Sequence, residues 1–291
     1  MSLEGLLFRA GAKRSDERRD ALIPLPAGVT QYRDIRYSPN GEYGLLDVYQ
    51  PESTTSALPT IVNIHGGGYV YGNKEIYRRY CMDLARRGFS VVNFNYRLAP
   101  KWKLPAPLGD IDAVLLWIEQ SARQYHLRPD CIFLVGDSAG AQLASHYAAI
   151  HTNPAFAKHF SLRMAKVTIR AVALNCGMYN LAEQAATKRK GIILDYLGRD
   201  ISSEDPRLQV SEYITENYPP AFVTTGCQDF LRPAAQPMYN FLQEKGIYAR
   251  WKCYGQEGDK AVSHVFHVNI LLPEAKQCND DTAEFFKKFI P

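Results

Sequence analysis

Ser138 stands in Gly136-Asp137-Ser138-Ala139-Gly140, directly after the apolar run Cys131-Ile132-Phe133-Leu134-Val135. That order predicts a buried strand entering a tight strand-to-helix turn, with small flanking residues because two backbone segments meet there. Such a turn lifts a serine hydroxyl to the carboxyl end of a strand, above a helix N-terminus, where it can attack a carbonyl carbon. A second string, His65-Gly66-Gly67-Gly68, follows the apolar run Thr60-Ile61-Val62-Asn63-Ile64. Three glycines free backbone N–H groups to point at an oxyanion. They could also form an anion nest for phosphate, but no Lys-Ser/Thr follows them, which excludes a P-loop. His65 reads as a brace for this loop rather than as a base. Together the two strings predict acyl transfer by a nucleophilic serine.

A serine hydroxyl is a weak nucleophile near neutral pH and needs a base, usually a histidine held by a carboxylate. Behind a G-x-S-x-G turn the chain order is Ser, then acid, then His. Phe222-Val223-Thr224-Thr225-Gly226 reads as a strand, and Asp229 stands just past its carboxyl end, where sites in open α/β sheets gather. Asp229 also reads as the N-cap of a helix beginning near Pro233. Two histidines follow it, His264 and His267. His264 ends a polar, glycine-containing loop over 255–263, a place from which an imidazole can hang over the strand ends. His267 leads into the apolar stretch Val268-Asn269-Ile270-Leu271-Leu272. Their H-x-x-H spacing also suits a metal ion, but no third ligand lies within sequence reach, so no metal and no cofactor are expected. His126, His146, His151 and His159 fall in or beside helical patterns and read as surface or core residues.

These side chains need a scaffold, and short apolar strands alternating with helical patterns supply one. Segments 31–37 and 44–49, joined by Ser38-Pro39-Asn40-Gly41-Glu42, predict an antiparallel hairpin at a sheet edge. Strands follow at 60–64, 90–96, 131–135, 169–176, 221–225 and 248–254. Helices are predicted near 74–87, 108–124, after Ser138, near 234–245 and near 279–289. In the second of these, Ile111, Val114, Leu115, Ile118 and Ala122 form one core-facing stripe. Alternation of this kind means a mostly parallel sheet with helices on both faces. Residues 177–220 break the rhythm. A structureless loop of that length is uncommon, so the interval, with Lys188-Arg189-Lys190 and Tyr179, Tyr196, Tyr213 and Tyr218, predicts a small helical lid within a single domain spanning 1–291.

Composition bounds the partners. With 34 basic and 30 acidic residues the net charge is +4, scattered rather than gathered. The run Lys13-Arg14-Ser15-Asp16-Glu17-Arg18-Arg19-Asp20 mixes signs and reads as a solvated surface segment, so no nucleic acid is expected. Leu3, Leu6 and Leu7 fit one short helical turn, and no run approaches a membrane span. Six cysteines show no CxxC spacing; Cys131, Cys176 and Cys253 sit in strand-like runs as buried reduced thiols do. A cytoplasmic location without membrane association is the resulting expectation. The expected partners are a small-molecule ester and, at most, a second copy of the chain in a homodimer.

The chain resembles the hormone-sensitive-lipase-like α/β-hydrolases, in particular their short-chain bacterial carboxylesterases. The matching strings are Asp47-Val48-Tyr49-Gln50-Pro51, His65-Gly66-Gly67-Gly68-Tyr69, Tyr96-Arg97-Leu98-Ala99-Pro100, Gly136-Asp137-Ser138-Ala139-Gly140, Gly226-Cys227-Gln228-Asp229 and His264-Val265-Phe266, in family order. The resemblance implies the α/β-hydrolase fold, a Ser138–His264–Asp229 triad, and an oxyanion hole from the amides of Gly67, Gly68 and Ala139. Three positions depart from the family pattern: Asn95 for Asp, Val265 for the glycine after the histidine, and Arg232 for a second acid. The segment before the hairpin is short, which implies a reduced N-terminal cap, the 177–220 insertion doing most of the covering.

The expected function is hydrolysis of short-acyl carboxylic esters, with Tyr69 and Tyr71 crowding the substrate near the oxyanion loop. Those two tyrosines, with Tyr179 and Tyr196, also suit a ring-binding surface, as in a carbohydrate O-deacetylase or a feruloyl-type aryl esterase. A non-catalytic receptor of the same fold typically lacks the histidine, which is present here, and no access-restricting domain of the peptidase kind precedes the catalytic region.

Overall fold

A computed structural model describes residues 1–52, 54–187 and 190–291; Lys188 and Arg189 of the basic run lie outside the described residues. Strands β1 (Val29–Arg36) and β2 (Leu45–Pro51) form the antiparallel edge hairpin. β3 (Leu58–Ile64), β4 (Ser90–Phe94), β5 (Leu127–Asp137), β6 (Ile169–Asn175), β7 (Ala221–Gly226) and β8 (Ala249–Tyr254) complete one eight-stranded sheet. The strand order is β1-β2-β4-β3-β5-β6-β7-β8, and β3 to β8 run parallel. This is the α/β-hydrolase fold.

Period-two alternation divides the core between the two faces of the sheet. Ile132 and Leu134 of β5 point to one side, where α3 (Ala106–Ser121), α4 (Ala139–Thr152) and α9 (Arg232–Glu244) pack. Cys131, Phe133 and Val135 point to the other, against α2 (Arg78–Ala85) and α10 (Pro273–Lys287). Ile111, Val114, Leu115 and Ile118 are fully buried on α3, as their spacing predicts. The helix expected over 74–87 begins as a 3₁₀ turn, Lys74–Tyr77, capped by the Asn73 side chain. The last helix starts six residues early, because Pro273 fits a first helical turn that has no use for its missing N–H. All six cysteines are free thiols; Cys253 is half-exposed rather than buried because β8 is an edge strand. Among the described residues no helix is long and apolar enough to cross a membrane.

The short helix α5 (Pro154–Ala157) follows α4, and residues after β6 form α6 (Leu181–Thr187), α7 (Gly191–Leu197), a 3₁₀ turn (Pro206–Leu208) and α8 (Val210–Tyr213). Their apolar side chains, among them Leu181, Tyr196, Leu208 and Ile214, are buried in the main core.

The N-terminus differs from its expectation. Leu3–Leu22 is one continuous helix, α1, rather than a short turn. It packs on α7, and its first turn is tied there by the Ser2 amide and hydroxyl donating to the Asp195 carboxylate at 2.9 and 2.7 Å. α1 thus packs against the part of the 177–220 insertion that forms α7. Nor is the mixed-charge run simply solvated. Arg19 donates to Asp16 and to the Ile76 carbonyl, both at 2.8 Å, and Asp16 accepts the Tyr71 hydroxyl at 2.9 Å.

Candidate active site

β5 delivers Ser138 to the carboxyl edge of the sheet, and α4 begins at the next residue. Ser138 has φ 52° and ψ −117°, a strained conformation for a residue with a Cβ. The Ser138 N–H donating to the Asn175 carbonyl at 3.0 Å helps to hold it. A Cβ on Gly140 would run into the Ile64 carbonyl at the end of β3, so the turn closes only without one.

The glycine loop is braced from two sides. The His65 ring stacks on Tyr96 at 4.0 Å, its Nδ1 lies 2.7 Å from the Gly66 carbonyl, and the Tyr96 hydroxyl donates to the His65 carbonyl. The Tyr77 hydroxyl accepts the Gly66 N–H at 3.0 Å and donates to Asp137 Oδ2 at 2.8 Å, linking this loop to the serine turn. Gly67 has φ +112°, and a Cβ there would strike the Tyr71 carbonyl.

Asp229 follows β7 in a tight turn and is fully covered at its side chain. Its carboxylate accepts His264 Nδ1 at 2.7 Å, the Thr225 hydroxyl at 2.8 Å and the Leu231 amide at 2.9 Å. Burial opposes its ionisation, but these bonds and the adjacent imidazole hold the carboxyl below its ordinary value. Asp229 is not the cap of α9: Leu231 takes that position without a side-chain cap bond, and Asp229 accepts the Leu231 amide in the turn before it.

His264 is held by its neighbours. Gln228 and Ser263 form an isolated parallel bridge joining the acid's turn to the histidine's loop. Val265 has φ 61°, the left-handed region that glycine enters freely. A β-branched residue thus holds a left-handed conformation here, at a strain of about 1–2 kcal/mol. The other departures are structural. Asn95 accepts the Lys74 amide and donates to the Glu42 carbonyl, and Arg232 donates to the Cys227 carbonyl below the Asp229 turn.

Ser138 and His264 line one cavity of about 290 Å³, with Gly66, Gly67, Tyr71, Tyr77 and Asp137. Gly68 faces Phe8 and Ile192 at its border, and Ala139 opens α4 beside Ser138. Tyr69 is elsewhere. It is buried, stacked face to face on Tyr196 at 3.8 Å, with its hydroxyl on Gln142. The loop folds back on Gly67, whose carbonyl accepts both the Val70 and Tyr71 amides, and Tyr69 takes φ 65°; Tyr71 thereby meets the cavity, whereas Tyr69, expected as a substrate contact, packs in the core. Tyr179 lines a different cavity. His267 is buried against Tyr80 and Phe266, both ring nitrogens without a hydrogen-bond partner.

The sequence reading missed the wall contributed by α1. Phe8, Ala12, Ser15 and Arg19 line the cavity, and their i, i+4, i+7, i+11 spacing is the signal that could have found them. Asn269 and Leu272 from the segment after His267 line it too.

Buried histidines also set the acid stability. Burial lowers His65 to about 4, and His146 and His267 to about 3. Each stays neutral in the folded state but takes a proton on unfolding below its ordinary value of about 6.5. Their stabilisation is present above that value and is lost as pH falls. Burial pushes Asp137 the other way, to about 7, so the folded carboxyl keeps a proton that the unfolded chain releases above its ordinary range. Its stabilisation is lost as pH rises, which opposes the histidines by one proton. The three histidines outnumber Asp137, and half-buried His151 is lowered with them, so the balance among these groups is a loss of stability as pH falls through about 6. Denaturant midpoints should therefore drop clearly from pH 6 to pH 5, and less steeply in His146→Gln. A midpoint that is flat or rises in acid would contradict this.

Known proteins are similar to this chain in sequence and fold. The family profile described as BD-FAE matches residues 46–242. Esterase LipQ of Mycobacterium tuberculosis is 27% identical over 78% of this chain, which spans only 57% of that protein's length. The acetyl esterase of Salmonella paratyphi B is 27% identical over 92% of this chain and 79% of its own. Among solved structures, esterase B from Lactobacillus rhamnosis with a tributyrin phosphonate inhibitor superposes with a TM-score of 0.89 at 26% identity, covering 96% of this chain and 92% of that one. The chain belongs to the BD-FAE family, among the hormone-sensitive-lipase-like α/β-hydrolase esterases.

Proposed function

We propose that the protein is a serine carboxylesterase for short-acyl esters, with Ser138 as nucleophile, His264 as general base and acid, and Asp229 as the orienting acid. The observation that carries this reading is the 2.7 Å His264–Asp229 pair set on the cavity that Ser138 lines. Asp229 holds Nδ1–H, which leaves Nε2 as the acceptor for the serine proton. Ser138 Oγ attacks the ester carbonyl and its proton passes to His264. The amides of Gly67, Gly68 and Ala139 receive the oxyanion, each such donor contributing about 3 kcal/mol. The same proton goes to the departing alcohol, and water repeats the sequence on the acyl-enzyme. A fluorophosphonate probe tests the assignment directly: mass should be added at Ser138, and labelling elsewhere would refute it.

The acyl group is small in this reading. The cavity, about 290 Å³, lies at the lower end of ligand-site volumes, with Phe8, Tyr71 and Leu272 among its walls. The acetyl esterase name and the tributyrin-derived inhibitor of the two similar proteins fit acyl chains of two to four carbons. On a panel of p-nitrophenyl esters kcat/KM should peak in that range. Each methylene that a pocket accepts adds about 0.8 kcal/mol, so a steady rise through eight or ten carbons would mean an open groove instead. The ring-binding alternative loses support, because Tyr69 and Tyr196 occupy each other's faces. We further propose that α1 and residues 177–220 together act as the lid.

A further inference from the structure

We propose that Phe230 is the recognition surface for the alcohol half of the ester, and that it favours alcohols carrying a flat ring next to the ester oxygen, such as phenols. This rests on His264 being the general acid of the esterase mechanism above. Phe230 directly follows Asp229, and the turn that sends the carboxylate inwards sends the ring outwards. Its neighbours are held by the Gln228–Ser263 bridge and by the Gln228 N–H donating to the Val262 carbonyl. The ring is 70% exposed, yet its centroid lies 4.3 Å from that of the His264 imidazole, tilted by 45°.

A single exposed aromatic is ordinary on a protein surface; one in contact with the acid–base residue is not placed at random with respect to the chemistry. When the tetrahedral intermediate collapses, the bond from the carbonyl carbon to the alcohol oxygen breaks and its electron pair stays on that oxygen. The proton that His264 took from Ser138 moves onto the same oxygen. The leaving oxygen must therefore lie within hydrogen-bond reach of the imidazole, and the substituent it carries projects over the imidazole's surroundings. Phe230 supplies the large apolar surface there. Beyond it opens a groove of about 770 Å³, lined by Phe230, Arg232, Gln236, Asn240 and Trp251, with room for the rest of a ring. Ring pairs prefer offset or edge-to-face contact, so a planar alcohol gains from Phe230 where a methyl group reaches little of it.

Acetyl esters separate this role from mere support of His264, because every acetate passes through the same acetyl-enzyme. Phe230→Ala should lower kcat/KM for phenyl acetate by tenfold or more and for methyl acetate by twofold or less. The deacylation rate, read from the steady phase after a phenyl acetate burst, should stay within twofold. Phe230→Tyr and Phe230→Trp should restore most of the phenyl acetate rate. Because the ring is largely exposed, its removal opens no core cavity, and the thermal midpoint should confirm a folded variant. Equal losses on the two acetates, or a slowed deacylation, would show that Phe230 only steadies His264 and would overturn the proposal. A wild-type enzyme inert towards both esters would overturn the esterase mechanism itself, and this inference with it.

Discussion

Ser138→Ala should leave a folded protein and lower kcat by roughly five to six orders of magnitude, as nucleophile deletions in serine hydrolases do. The change removes one oxygen and keeps the Cβ, so the backbone at φ 52° is no more strained with alanine than with serine. The Ser138 N–H bond to Asn175 and the glycine contacts beneath the turn do not involve the hydroxyl. Of the other hydroxyls on the cavity, that of Tyr71 is committed to Asp16 and that of Tyr77 to Asp137, while Ser15 on α1 and Ser263 before His264 stand outside the strand-to-helix turn beside the glycine loop. The residual rate should be that of an oxyanion hole acting on water, about 10³–10⁴ above the uncatalysed reaction. The check is p-nitrophenyl acetate turnover by purified variant with an unchanged thermal midpoint. More than a few per cent of wild-type kcat would remove Ser138 from the mechanism.

The parts of this site legible in the sequence are those fixed by close backbone contact. Gly140 is required where α4 meets the end of β3, and Gly67 where the loop folds back on Tyr71, so both leave rigid patterns of residue type. Strand and helix alternation was equally plain, because burial on two faces demands apolar runs such as 131–135. What the sequence hid depends on contacts between distant segments. α1 carries Lys13, Arg14, Arg18 and Arg19, and looks solvated until Asp16 and Arg19 find Tyr71 and Ile76. Tyr69 and Tyr71 are alike in composition, and only the fold decides that one stacks on Tyr196 while the other meets the cavity. Val265 shows a converse case: it departs from the family's glycine in residue type, yet its backbone lies at φ 61°, in the region glycine enters freely.

His264 and His267 separate on two axes, catalysis and stability, and the two alanine variants should move in opposite directions. His264 has a side chain 21% exposed and is bonded to Asp229 at 2.7 Å. Removing it leaves that carboxylate with Thr225 and the Leu231 amide, so folding should change little. The serine then has no base and the leaving alcohol no acid, and kcat should fall by three or more orders of magnitude. His267 is buried between Tyr80 and Phe266, and burial lowers it to about 3, so it stays neutral throughout the working pH range. A group that cannot be protonated at working pH is a poor general base. Its truncation leaves a cavity in the packing, which costs about 2–4 kcal/mol, while kcat measured on the folded fraction should drop tenfold or less. Paired thermal melts and single-turnover assays on the two purified variants decide the matter. If His267→Ala abolished turnover without loss of stability while His264→Ala retained it, the triad would move by one turn and the Asp229–His264 pair would be reduced to a structural tie.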